Sequence, residues 1–208
     1  MAKNIAKLLA IASETLGPKA PKRPALLTGK RGDELWALLQ ERNGFYAFES
    51  ALHVFPAGGP GTQTLERWNS PELWRGHYKD LADGCLFFAE DIFGGQFVIK
   101  DDAIHSFDPE TGATEQIGAT VDAWARALLG DYEALTGQPL AHAWQEEHGA
   151  LPKGKRLLPK IPFVTNGEFE LSNLYAADAV KGMQFRGDLA VQIRYLPEGA
   201  EIKFKIVE

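Results

Sequence analysis

The stretch from Phe87 to Trp124, FFAEDIFGGQFVIKDDAIHSFDPETGATEQIGATVDAW, decides the predicted fold. It alternates short runs of aromatic and β-branched residues with turn-forming segments such as Gly94-Gly95 and Asp108-Pro109-Glu110-Thr111-Gly112. Aromatic and β-branched residues bounded by Gly, Asp and Pro are typical of a small antiparallel sheet. Thr120 is suited to cap a helix that follows the last strand. The stretch therefore predicts short strands joined by tight turns and closed by a helix.

Other segments of the chain show their own periodic patterns. Apolar residues recur at helical spacing in residues 2–16, 33–42, 140–148 and 178–194. Asn166-Gly167 lies between two short apolar runs, so a hairpin is predicted over Pro162–Leu171. Alternating charged and apolar residues predict a strand over Glu201–Val207. The basic cluster Lys153, Lys155 and Arg156 is predicted to lie in an exposed loop.

Composition and charge exclude several classes of protein. The chain has 208 residues, a formal net charge of −6 and one cysteine, Cys85. The negative charge argues against direct binding to nucleic acid, which normally requires a basic face. A single cysteine excludes an intramolecular disulfide and favours a reducing compartment. No apolar run approaches the length of a membrane span, and the N-terminus lacks a secretory pattern. We therefore expect a soluble cytoplasmic protein without a membrane partner.

The candidate catalytic groups do not form a recognisable site in the sequence. Of five histidines, His142 and His148 are the closest pair, but their spacing places them on different faces of a helix. Cys85 precedes an apolar strand and is predicted to be a small buried residue. No serine lies in a Gly-x-Ser-x-Gly motif. The sequence thus predicts no catalytic residue, no metal site and no cofactor.

Acidic pairs around the predicted sheet and one tryptophan remain as candidate binding residues. The acidic residues are Glu90, Asp91, Asp101 and Asp102, with Asp108 and Glu110 beyond them. They fit solvated turn residues, an acid–base pair, or a negative patch that attracts a basic protein surface. Trp68 is predicted to lie in a loop, where it could be either a core residue or a partner anchor. The candidate partner-binding set is therefore Trp68, Glu90, Asp91, Asp101 and Asp102.

Several segments, taken in order, resemble the SUKH superfamily and its Smi/Knr-type bacterial members. The resemblance covers about residues 32 to 132 and depends on order and spacing, since no single motif is diagnostic. The residues after Ala150 look like an extension found in a bacterial subgroup. The segments that carry the resemblance are Arg42-Asn43-Gly44-Phe45, Tyr46–Leu52, Trp68–Tyr78, Phe87–Gly94, Phe107–Gly112 and Trp124.

The resemblance implies an α+β fold whose central, mostly antiparallel sheet is flanked by helices. The chain would then divide into an N-terminal helix and Pro-rich linker (1–31), an α+β core (32–150), and a C-terminal extension of hairpin, helix and strand packed on that core (151–208). The resemblance also implies a non-enzymatic immunity protein that binds and neutralises a cognate polymorphic toxin. A nuclease with a basic cleft is one toxin that an acidic face would suit.

Two alternatives remain open at this point. One is an intracellular scaffold or regulatory protein that binds several host proteins. The other is a hydrolase that uses Glu90 or Asp91 as an acid or base. The sequence does not specify the oligomeric state or the identity of a toxin.

Overall fold

A six-stranded antiparallel sheet forms the centre of the protein. The structure is a computed structural model, and it describes residues 2–20, 22–197 and 199–200. Each strand pairs with its neighbour in the sequence, so the strand order is β1-β2-β3-β4-β5-β6. The prediction of an α+β fold with an antiparallel sheet is confirmed. The strands are β1 (Phe45–Ala47), β2 (Leu52–Val54), β3 (Leu86–Glu90), β4 (Gln96–Lys100), β5 (Ala103–Phe107) and β6 (Thr114–Gly118).

The hairpin from β4 to β5 shows how the turn residues set the register. Lys100 pairs with Ala103, so Asp101 and Asp102 alone form the turn. Both have positive φ angles, 49° and 54°, as a two-residue turn of this hand requires. Aspartate tolerates this backbone conformation better than most residues, because its short side chain bonds locally. Asp101 and Asp102, for which solvated turn residues were one of the open interpretations, thus form the turn between β4 and β5.

Helices cover both faces of the sheet. The pairing of β3 with β4 shifts between Phe87 and Ala89. Phe87 pairs with Val98 and so lies on the face opposite to Phe97, whereas Phe88 shares the face of Phe97. Phe87 packs edge-on against Trp74, at 4.8 Å between ring centroids, and Phe88 packs against Trp124 at 5.0 Å. Trp74 lies on the π-helical segment Pro71–Arg75, and Trp124 lies on α5. The α-helices are α1 (Lys3–Ala10), α2 (Gly29–Glu41), α3 (Leu65–Trp68), α4 (Gly76–Tyr78), α5 (Val121–Gly130), α6 (Tyr132–Thr136), α7 (Gln138–His148) and α8 (Ala179–Ile193).

The C-terminal part differs from its prediction in two respects. Lys155 and Arg156, expected in an exposed loop, belong to the strand Lys155–Pro159. The expected hairpin over Pro162–Leu171 is wrong: Phe163–Thr165 forms a single 3-10 turn, and Asn166 follows it at φ 68°. The N–H of Gly167 bonds to the carbonyl of Pro162 at 3.0 Å, which closes a local turn where a strand ladder was predicted. The strands that do pair lie outside it, β7 (Lys155–Pro159) and β8 (Leu174–Asp178). The predicted helix over 178–194 is confirmed as α8, whereas the predicted strand Glu201–Val207 lies outside the described residues.

Two buried clusters join the segments of the chain. The larger one includes Leu8 of α1, Val98 of β4 and Met183 of α8. The smaller one joins Ile92, which follows β3, to Leu157 of β7 and to residues of α7. The N-terminal helix, the sheet and the C-terminal extension thus contribute to shared apolar packing.

Candidate functional site

Trp68 lies in the core and does not reach the surface. Thr64 caps α3 by accepting a hydrogen bond from the N–H of Arg67, and this helical turn directs Trp68 inward. The indole is 0% exposed, packs on Phe55 and Trp74, and donates from Nε1 to Gln96 Oε1 at 2.8 Å. The prediction that Trp68 is a partner anchor is therefore wrong, because every part of its ring is covered by the protein itself.

Glu90 is also fully buried, inside a cluster of polar side chains. Its Oε1 lies 3.0 Å from His53 Nδ1, 2.9 Å from Gln63 Nε2 and 2.9 Å from Arg156 Nε. Burial opposes ionisation, but Arg156 and His53 outweigh it and hold the pKa of Glu90 below its usual range. Arg156 was predicted to be exposed and is only 2% exposed, because it extends from β7 to neutralise Glu90. Glu90 therefore cannot contact a partner's surface.

Asp101 and Asp102 are exposed, but they lie far from the other predicted acids. They follow the last residue of β4, whereas Glu90 pairs with Gln96, the first residue of that strand. Four residue steps along a strand separate the two ends by roughly 13 Å. Asp102 Oδ1 lies 3.4 Å from Arg31 Nε, which partly neutralises it. The four acids therefore do not form the single acidic face that was expected.

Asp91 lines one cavity, whereas Asp101 and Asp102 line a separate one. The side chain of Asp91 is half-buried, and its Oδ1 accepts the backbone N–H groups of Phe93 and Gly95, both at 2.8 Å. No hydrogen bond to Oδ2 occurs among the described residues. The cavity that Asp91 lines has a volume of about 470 Å³, within the range of small-ligand sites.

Five parts of the chain form the walls of this cavity. One wall is the turn from β3 to β4, a second is the end of β5 with Asp108 to Glu110, and a third is α6 with Leu135. The segment Phe163–Phe169 and Arg186 of α8 complete it. Gly94 has a φ of 79°, and a Cβ there would lie 2.4 Å from Arg186 Nη2. The glycine turn thus leaves the space that the guanidinium occupies.

Three phenylalanines form an aromatic wall at the mouth of the cavity. Phe163 and Phe169 stack with ring centroids 3.8 Å apart and planes 7° from parallel. Phe93 meets each of them edge-on at 5.7 Å. Phe169 is 62% exposed, so one apolar ring at this site faces solvent.

Glu110 supplies a second carboxyl group to the cavity. It is 3% exposed; its Oε2 accepts the N–H of Val164 at 2.8 Å, while Oε1 is buried without a partner among the described residues. Burial raises the pKa of Glu110 above its usual value. The sequence places Glu110 beside the sheet, but its proximity to Asp91 depends on the register of β3, β4 and β5.

Arg186 is a cavity residue that the sequence analysis did not identify. It is 3% exposed, and it donates from Nη1 to the carbonyl of Phe93 at 2.6 Å and from Nε to that of Gly182 at 3.2 Å. The sequence indicates its burial only through spacing. Arg186 lies three residues from both Met183 and Leu189, which places it on the buried stripe of α8.

The electrostatics of the cavity act mainly on Asp91. Burial raises its pKa to about 7, although the N–H groups of Gly95 and Phe93 and the charge of Arg186 oppose this. A carboxyl group with such a pKa exchanges protons near neutral pH and also accepts hydrogen bonds. Within the described ranges, no three His, Cys, Asp or Glu side chains are grouped so that they could hold a metal ion. None of the helices in those ranges is long and apolar enough to cross a membrane.

Comparisons with known proteins give a similarity of fold. Neither a family model nor a curated protein matches the chain. The crystal structure of Atu4351 from Agrobacterium tumefaciens aligns with a TM-score of 0.51 over 90% of this chain and 89% of that one, at 13% sequence identity. At this identity the match shows a shared fold alone. The aligned part of this chain is longer than the segment 32–150, so the shared fold includes parts of the segments on either side of it.

Proposed function

We propose that this protein is a non-enzymatic binding protein that neutralises a cognate protein toxin by direct contact. The observation that carries the proposal is the cavity, in which Asp91, Asp108 and Glu110 converge with an exposed aromatic ring. Acidic groups beside solvent-exposed apolar groups suit a protein partner with a basic, partly apolar surface. The order of glycines and aromatic residues that resembles the SUKH superfamily supports the same proposal.

Charge favours a basic partner. The chain has a net charge of −6, and the cavity lining includes three carboxyl groups against the guanidinium of Arg186. Such a surface accelerates encounter with a positively charged protein and disfavours acidic ones. A nuclease toxin, whose cleft must attract nucleic acid, is one partner of this kind.

Exposed apolar side chains near the cavity mouth support a contact surface there. Phe169 and Val164 line the cavity and are both exposed. Val164 also lines a neighbouring groove together with Tyr195 and Leu196, two further exposed apolar residues. Exposed aromatic residues grouped around a cleft are typical anchors of protein interfaces.

The proposal predicts a toxin gene beside this one, and that gene provides the test of binding and protection. The encoded toxin domain would be produced in cells with and without this protein, and growth would be measured. The purified proteins would then be titrated against each other by calorimetry. We expect restored growth and one-to-one binding that weakens with added salt. Absence of both binding and protection would refute the proposal.

A second candidate function is acid–base catalysis by Asp91. The specific observation in its favour is a carboxyl group with a pKa of about 7 beside a second acid, Glu110, in a cavity of ligand size. Glu90 is not a candidate for this role, because its carboxylate is engaged by His53, Gln63 and Arg156. An Asp91→Asn variant that keeps the fold and full protective activity would exclude this alternative.

A further inference from the structure

The cavity contains two carboxyl groups with unused hydrogen-bonding capacity. Asp91 Oδ2 has no partner among the described residues, and Gly95 lies beside it without a side chain. Glu110 Oε1 is buried and equally without a partner there. A buried carboxylate oxygen without a donor, such as Glu110 Oε1, is unfavourable, so a group that brings an N–H donor to it gains the energy of satisfying it. Asp91 is only half-buried, and its Oδ2 offers a second acceptor at the same cavity.

Arg186, the one cation among the described residues that line the cavity, does not satisfy these oxygens. Arg186 directs Nη1 to the carbonyl of Phe93, Nε to that of Gly182, and Nη2 towards Met183 Sδ at 3.6 Å. The guanidinium of Arg186 forms no ion pair among the described residues, so no described carboxylate oxygen lies within 4.0 Å of its nitrogens. The side chain is thus held against the backbone, and the carboxyl groups remain available to a second cation.

The shape of the cavity favours a flat cation. Phe169 presents an exposed ring that is braced from behind by Phe163 and at its edge by Phe93. A planar guanidinium stacks on such a ring while its N–H groups meet carboxylates in its plane. A compact ammonium group lacks the flat face that stacks on the ring, and it also loses more hydration on entering the cavity.

We propose that the cavity accepts the guanidinium group of an arginine that protrudes from the partner. Asp91 and Glu110 would accept its N–H groups, and Phe169 would stack on its plane. This inference rests on the proposed function, because the arginine would come from the toxin. It goes further by naming the side chain that the cavity recognises.

Capped amino acids test the binding of a single side chain to the cavity without the other contacts of a protein interface. N-acetyl-arginine methylamide would be titrated into the protein, with the citrulline and lysine analogues as comparisons. Citrulline has nearly the shape of arginine but no charge. Backbone amide shifts of Phe93, Gly95 and Val164 would report on occupancy, because these residues bond to or adjoin the two carboxyl groups. We expect saturable shifts with arginine, weaker binding of lysine and no binding of citrulline.

Matched variants test the assigned residues. The double variant Asp91→Asn, Glu110→Gln should bind capped arginine at least about tenfold more weakly, since it removes both charge-assisted contacts. The control is Asp101→Asn, Asp102→Asn, which removes two carboxylates at the exposed turn and should change the affinity less than about twofold. Asparagine suits the positive φ of that turn. Phe169→Ala, a change at an exposed position, should weaken binding about fivefold without affecting the core.

The outcomes separate this inference from the proposed function. Equal binding of citrulline and arginine, or unchanged affinity in both the double variant and Phe169→Ala, would overturn the inference. If those variants still bind and neutralise the toxin as the parent does, the proposed function is supported and the arginine site is excluded. If capped arginine binds as expected but the toxin is neither bound nor neutralised, the arginine site is supported and the proposed function is excluded.

Discussion

At the scale of single residues, Glu90 occupies the centre of a polar row that crosses the sheet. Tyr46 pairs with His53, His53 with Glu90, and Glu90 with Gln96, so these side chains share one face of β1 to β4. Burial lowers the pKa of His53, although its hydrogen bond to Glu90 opposes this. Arg156, reaching in from β7, is therefore the charge that balances Glu90.

Replacing Glu90 by alanine should destabilise the protein strongly. The change leaves the guanidinium of Arg156 buried without its carboxylate, and breaking a buried ion pair in this way costs about 3–5 kcal/mol. The free energy of unfolding would be measured by urea denaturation. Glu147→Ala is the control, because Glu147 lies exposed on α7 and its loss should change stability by less than about 0.5 kcal/mol. A loss below about 1 kcal/mol for Glu90→Ala would contradict the role of the pair.

The raised pKa of Asp91 predicts a dependence of stability on pH. In the unfolded chain its carboxyl group ionises near the usual value of 3.8, whereas in the folded protein it ionises near 7. As pH rises between these values, the unfolded state releases the proton first, so the free energy of unfolding falls. The charged groups that act on Asp91 in the folded protein are Arg186 and Arg156, with Asp108 and Glu110 in the same cavity.

Asp91→Asn should remove this dependence, since the amide stays neutral and keeps an oxygen for the N–H groups of Phe93 and Gly95. We expect the free energy of unfolding of the variant to exceed that of the parent by roughly 1–3 kcal/mol at about pH 8. At about pH 4 the two free energies of unfolding should be almost equal. Urea denaturation of both proteins across this range measures the difference, in which the other titrating groups largely cancel. An advantage that is the same at both pH values would show that Asp91 is already ionised at low pH.

At the scale of elements, α1 is capped by a residue from another helix. Its own preceding residue, Ala2, has no side-chain oxygen. Asp122, in the first turn of α5, accepts the N–H groups of Asn4 at 2.9 Å and Ile5 at 3.1 Å, and also the side-chain amide of Asn4 at 2.8 Å. One carboxylate thus satisfies the start of α1 and joins it to α5.

Asp122→Ala should loosen α1 while the sheet stays intact. Loss of a capping side chain costs roughly 1–2 kcal/mol, and here the same change removes a link between two helices. Hydrogen exchange of the Leu8 and Leu9 amides should accelerate, whereas that of the Val98 amide in β4 should not. Lys7→Ala, on the exposed side of α1, serves as the control and should leave the exchange of α1 nearly unchanged. Equal protection of α1 in Asp122→Ala and the parent would exclude the proposed link.

At the scale of the whole molecule, the C-terminal extension completes the core. Met183 and Ala190 of α8 belong to the main buried cluster, and Leu157 of β7 belongs to the second. A Cβ on Gly187 would lie 2.7 Å from the ring of Tyr78, so α8 and α4 are in close contact. The extension also supplies Arg156 to Glu90 and Arg186 to the cavity.

A fragment comprising residues 1–150 should therefore not fold on its own. It would expose part of the main cluster and leave Glu90 buried without Arg156, and each of these losses costs several kcal/mol. Stability of the whole chain is expected to be only about 5–15 kcal/mol. Amide spectra and thermal denaturation of the fragment, beside the full chain, measure the effect. Dispersed amide signals with a cooperative transition would show an independent domain.

The elements that were predicted correctly are those fixed by neighbouring residues. The turn Asp101-Asp102, the cap Thr120 and the helical stripe of α8 each depend on side chains within a few positions of one another. The Asn166-Gly167 hairpin failed because the positive φ of Asn166 suits a 3-10 turn as well as a type I′ turn. Local chemistry allowed both conformations, and the pairing of β7 with β8 selected one.

The sequence by itself determined the class of fold, because alternation, turn residues and helix caps are local properties of the chain. Only the tertiary structure decided which polar residues are buried and which reach the surface. Glu90 and Asp91 are adjacent in the sequence, yet one balances Arg156 in the core and the other lines the cavity beside Glu110. The physical reason is that side-chain burial depends on elements distant in the chain, and these bring in the charges and rings that set each carboxyl group's environment.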